Sequence, residues 1–173
     1  LLDPIATEAQ IEIGTERAVI RNGAIAAEIY LTEHPISHSP EATIRFLNTA
    51  SGEQLLVEEP QHFIWPPARY FKPISSDLYR VEARFKAYEG ERFYGLGQHQ
   101  HGRLNQKGCV IALLQRNTEV NIPFLLSSRG YGFLWHNPAM GHVDLGHNGT
   151  RWVAEATRQL DYWITAGDTP AEI

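Results

Sequence analysis

Apolar and polar residues alternate with a period of two along most of this chain, in runs of four to nine residues broken by turn formers. That rhythm predicts half-buried β-strands, because successive strand side chains point to opposite faces. Residues 10–14, 17–21 and 24–31 read as strands, with Arg21-Asn22-Gly23-Ala24 as an Asn-Gly hairpin turn. Residues 42–47 alternate, and Ser51-Gly52 turns the chain into 54–58. The clearest amphipathic run is 78–87, where Tyr79, Val81, Ala83 and Phe85 interleave with Arg80, Glu82, Arg84 and Lys86. Further strands are expected at 110–114, 123–127, 132–136, 142–145, 151–156 and 159–165. The four prolines of residues 60–73 predict a connection between sheets, because proline cannot donate to a central ladder.

No helical period of ten residues precedes Thr169. About twelve short strands therefore predict an all-β sandwich or barrel, not βαβ units. The segment Asp168-Thr169-Pro170-Ala171-Glu172 reads differently. Thr169 suits an N-cap, Pro170 the first helical position, and Glu172 the far side of a capping box. The expectation is a sandwich over 1–168, with 169–173 opening a helix towards another domain.

Composition narrows the function classes. The 173 residues make one domain by length, and the formal charge of −5 disfavours nucleic acid and anionic membranes as partners. No run approaches the roughly 18 apolar residues of a membrane span. The single Cys109, in an apolar run, reads as a small buried hydrophobe. One cysteine allows no internal disulfide, which fits a reducing, cytoplasmic setting.

Candidate chemistry is sparse. His99 and His101 form a His-x-His pair that would share a strand face, and His136, His142 and His147 lie downstream. They support an alternative reading as a cupin-like metal-binding β-barrel. However, Asn105 and Gln106 stand where such a motif wants a glutamate, so no metal or cofactor is expected. Gly95-Leu96-Gly97 precedes no helix and reads as a turn needing positive φ or close backbone approach, not a phosphate loop. Trp135, Trp152 and Trp163 are expected in the core, and Trp65 is unassigned. Asp161 is expected to be a paired, strand-edge residue. No carboxylate pair and no Ser-His-Asp arrangement stands out as catalytic.

The residues of most interest are Arg116, Asn117 and Glu119, crowded between two apolar strands. Guanidinium, amide and carboxylate together supply the donors and acceptors that recognise vicinal hydroxyls. A free-standing carbohydrate-binding module is thus a further alternative.

Glu91-Arg92-Phe93-Tyr94-Gly95-Leu96-Gly97-Gln98 is similar to the Gly-Leu-Gly-(Glu/Gln) segment of glycoside hydrolase family 31, the α-glucosidase and α-xylosidase family. Asn121-Ile122-Pro123-Phe124, followed by Ser128-Arg129-Gly130-Tyr131-Gly132, resembles its Ile-Pro-Phe and Arg-Gly-Tyr-Gly block. Asp161-Tyr162-Trp163-Ile164 and Gly167-Asp168-Thr169-Pro170 resemble its exit towards the catalytic barrel. The resemblance implies a galactose-mutarotase-like β-sandwich ahead of a (β/α)8 barrel. Two barrel aspartates would perform retaining hydrolysis of α-linked glycosides, so no catalytic residue is expected here. It also implies that residues 115–119 reach the sugar subsites, making Arg116, Asn117 and Glu119 substrate contacts. Family members often carry Arg-Asp where this chain has Arg116-Asn117. The expected partners are an α-linked oligosaccharide, the catalytic barrel of the same polypeptide and, through sandwich contacts, a homo-oligomer.

Overall fold

The computed structural model describes residues 8–34, 37–59 and 66–173. They form fourteen strands and two compact units, which divide between Val57 and Glu58. The fold class is all-β, as the alternation requires.

The first unit is one antiparallel meander of β1 (Gln10–Ile13), β2 (Arg17–Asn22), β3 (Ile25–Glu33), β4 (Pro40–Asn48) and β5 (Gln54–Val57). The β2–β3 hairpin forms one residue later than the Asn-Gly reading places it. Asn22 pairs with Ile25, so the loop is Gly23-Ala24, with φ of 58° at Gly23. Glycine is favoured there because positive φ crowds a Cβ. On this sheet Glu28 is buried and paired with both Arg17 and Arg45.

The second unit holds two antiparallel sheets. One has the order β6 (Arg69–Pro73), β7 (Tyr79–Lys86), β13 (Gly149–Thr157), β12 (Gly141–Leu145), β9 (Val110–Leu113). The other runs β14 (Tyr162–Ala166), β11 (Tyr131–Trp135), β10 (Val120–Ser127), β8 (Phe93–Gln98). Aromatic side chains join the sheets: Phe133 of β11 stacks on Trp152 of β13 at 4.5 Å and meets Phe85 of β7 edge-on at 5.4 Å. Such pairs add to the area they bury, so Tyr131, Phe133 and Trp135, all buried, make β11 the spine of this core.

One charged residue on the polar face of β7 is buried. Glu82 is almost inaccessible, ringed by Arg80, Arg84 and Arg151. Burial pushes its carboxyl up, but the Arg80 hydrogen bond and the three guanidinium charges together hold it below the usual carboxylate range.

Four readings change. Residues 69–73 of the expected connection are an edge strand, where Pro73 at the strand end costs no internal ladder bond; 60–65, with Trp65, lie outside the described residues. Gly95-Leu96-Gly97 is not a turn but the middle of β8. Trp163 is 63% exposed, because on edge strand β14 the inward place goes to Tyr162, which packs on Phe85 and Phe133. Cys109 is half-buried, just ahead of β9, and not a core residue. Near Thr169, the Glu172 carboxylate accepts hydrogen bonds from the backbone N–H groups of Thr169 and Asp168, at 3.0 and 2.9 Å. This is the reach-back half of the expected capping box, on residues that form a turn.

Candidate functional site

Residues 114–119 cross from β9 in one sheet to β10 in the other. Arg116 bridges Glu119, so Asn117-Thr118 is a two-residue turn, with φ of 73° at Thr118. Gln115 clamps its base: its amide donates to Asn121 O at 2.8 Å and accepts from Asn121 N–H at 3.1 Å. That side chain copies a pair of ladder bonds, so the turn leaves the sandwich from a fixed root.

The three candidate residues lie on this turn and differ in exposure. Arg116 and Asn117 are exposed, while Glu119 is half-buried and turned to the side. Its carboxylate lies 3.9 Å from His99 Nδ1. Beside the turn, a cavity of about 260 Å³ is lined by Gln115, Asn121, Trp135, Asn137 and Met140 among others, none of them charged. Asn121 Oδ1, Trp135 Nε1 and Asn137 Oδ1 have no hydrogen-bond partner among the described residues.

What sequence reasoning missed is how the glycine motif and the Ile-Pro-Phe motif meet. Gly95, Leu96 and Gly97 have φ of 98°, 67° and 94°. Opposite them, Asn121 pairs with Gly97 and Leu125 with Gly95, so three residues, Ile122, Pro123 and Phe124, face Leu96 alone. This is a bulge, and Pro123 is suited to it because a bulged residue donates no ladder bond. Leu96, fully buried, fills the core beneath. A Cβ at Gly95 would lie 2.6 Å from Phe124 O, which closes the site to any other residue. The positive φ and close backbone approach expected of Gly95 and Gly97 are both present, on a strand instead of in a turn.

A second polar centre anchors the far end of the same sheet. The buried Glu91 carboxylate accepts from Ser127 Oγ (2.6 Å), Tyr131 OH (2.9 Å) and Tyr88 N–H (3.2 Å), with Lys107 Nζ at 3.9 Å. Burial and then the Glu91 charge push the Tyr131 phenol well above its ordinary range, while burial pulls Lys107 down. Tyr131 thus remains a donor, and the Arg-Gly-Tyr-Gly block is tied to the Glu-Arg-Phe-Tyr segment.

The histidines of the described residues do not gather into a metal site. His99 bonds Leu96 O, His136 pairs with Asp161, and His142 meets Arg151. Among the described residues, no three His, Cys, Asp or Glu side chains are grouped to hold an ion. Asp161 is paired at the edge of β14, as expected.

This all-β architecture, with two antiparallel sheets joined through an aromatic core, defines a β-sandwich. Residues 6–144 match the glycosyl hydrolase 31 N-terminal galactose mutarotase-like domain, and the chain belongs to that family. It is 37% identical, over its full length, to an uncharacterized family 31 glucosidase of Pseudescherichia vulneris, spanning 34% of that protein. It is 36% identical to an α-xylosidase of Saccharolobus solfataricus, with 78% of this chain and 20% of that protein matched. Among solved structures, a GH31 α-xylosidase from a soil metagenome, complexed with xylose, aligns with a TM-score of 0.83 and 38% identity. That alignment covers 96% of this chain and 25% of the other. The chain thus spans about a third or less of the relatives it matches.

Proposed function

We propose that this chain is the sandwich of a retaining α-glycosidase, an α-xylosidase or α-glucosidase, whose catalytic carboxylates lie elsewhere in the same polypeptide. The observation that carries this reading is the clamped turn at 115–119. It is the place where a charged, hydrogen-bonding loop is rigidly rooted and left exposed. Arg116, Asn117 and Glu119 supply fork donors, an amide and a carboxylate, a set matched to neighbouring sugar hydroxyls. The neutral cavity beside the turn, with two amides and an indole N–H, extends the same chemistry. The similarity to two α-xylosidases supports the substrate class.

The test is hydrolysis of nitrophenyl α-xyloside and α-glucoside. The 173-residue chain alone is compared with the same chain in one polypeptide with a family catalytic barrel. Activity is expected only in the second, and the preferred glycoside identifies the sugar. Hydrolysis by the chain alone would overturn the assignment of chemistry to the barrel.

A further inference from the structure

The His-x-His pair has no part in the reading above, yet the strand register brings it to the candidate turn. Gly97 pairs with Asn121 and Gln98 with Val120. Continued past the end of β8, that register sets His99 opposite Glu119 and His101 opposite Asn117. The contacts agree: Gln100 Nε2 donates to Thr118 O at 3.5 Å, and His99 Nδ1 lies 3.9 Å from the Glu119 carboxylate. The two imidazoles stack at 5.7 Å, 9° from parallel. His99 is the inner ring, with only 7% of its side chain exposed.

The tautomer of His99 follows from its other nitrogen. Nε2 lies 2.7 Å from Leu96 O, and a carbonyl oxygen only accepts, so Nε2 carries the proton. In the neutral ring, Nδ1 then presents a lone pair to a carboxylate, which is one acceptor against another. With a proton on Nδ1, the same geometry becomes an ion pair that draws Glu119 and its turn onto β8. Leu96 has a left-handed backbone between Gly95 and Gly97, and its carbonyl meets the ring. Among the described residues, the ionisable groups that meet the ring are Glu119 from the turn and His101 from its own segment.

We propose that His99 is a positioning residue for the substrate turn: held by Leu96 O, its buried ring sets the place of Glu119. This rests on the turn being the sugar-contacting element, and its two tests separate the two claims.

The first test needs no activity. Nitrogen-15 spectra of the labelled chain should show the proton of His99 on Nε2. His99→Gln and Glu119→Gln should move the amide signals of Asn117 and Thr118 in the same direction. A proton on Nδ1 alone, or turn amides unmoved in H99Q, overturns the proposal whatever the turn binds. The second test is the KM of the barrel-containing enzyme. H99Q and E119Q should each raise KM roughly three- to fivefold with kcat little changed, and the double variant should raise it no further than E119Q alone. A KM unchanged in H99Q, or effects that multiply in the double variant, rejects His99 as acting through Glu119. If N117A and E119A alter neither constant while the spectra behave as expected, the positioning contact stands and the substrate reading falls.

Discussion

Gly97 lies so close to β10 that a Cβ on it would meet Ile122 N at 2.8 Å and Val120 O closer still. The backbone there is left-handed, so two penalties coincide in one residue. Gly97→Ala should cost about 3 kcal/mol or more, because neither backbone can yield without breaking the bulge. Gly102→Ala is the control: φ is 70°, but nothing lies within 4 Å, so about 1 kcal/mol is expected. Urea unfolding of the two variants checks the difference.

Glu91 and Tyr131 make a second prediction. Tyr131→Phe removes one donor from a buried carboxylate and keeps the ring, for an expected loss of about 2 kcal/mol. Glu91→Ala leaves Ser127, Tyr131 and Lys107 facing a void, and should cost about 3–5 kcal/mol. Chemical unfolding monitored by tryptophan fluorescence would show both.

Stability should depend on pH through Glu82. Its carboxyl is depressed in the folded chain, so its contribution is complete above the unfolded carboxylate value, about 4.3. That contribution disappears as pH falls through the lower folded value. The urea midpoint should therefore drop below about pH 4.5. Glu82→Gln should lower stability by about 2–3 kcal/mol near neutrality and flatten the acid limb, since Arg84 loses its carboxylate partner while Arg80 keeps Glu155 and Arg151 keeps Asp144.

Much of the fold was legible because alternation is a local property. Residues 78–87 and 132–136 announce their inward faces, and Phe85, Phe133 and Trp135 are buried as the pattern requires. The failures share a cause. Arg69–Pro73 has prolines around it that mask an edge strand, and Phe93–Gln98 has glycines that mask a strand facing a bulge. In both, the partner strand decides the outcome, and no local window contains it. Trp163 failed for a related reason, since position on the outermost strand is a property of sheet order. The candidate turn was legible as a charged interruption between apolar runs. Its clamp by Gln115 and its contact with His99 were not, because one depends on how the 115–121 hairpin closes and the other on the pairing of β8 with β10.

The clamp carries its own prediction. Gln115→Ala breaks both bonds to Asn121 and loosens the turn without altering Arg116, Asn117 or Glu119. In the barrel-containing enzyme it should lower kcat/KM about threefold to tenfold, while the chain loses only about 1 kcal/mol of stability. Steady-state kinetics beside urea unfolding separates those effects.

The most direct test of the central claim is kcat/KM of the barrel-containing enzyme with Asn117 and Glu119 both replaced by alanine, on nitrophenyl α-xyloside and α-glucoside. Loss of even one hydroxyl contact costs about 1 kcal/mol, so at least a fivefold fall is expected on the preferred substrate. A kcat/KM within twofold of native on both glycosides would contradict the claim that this turn reads the sugar.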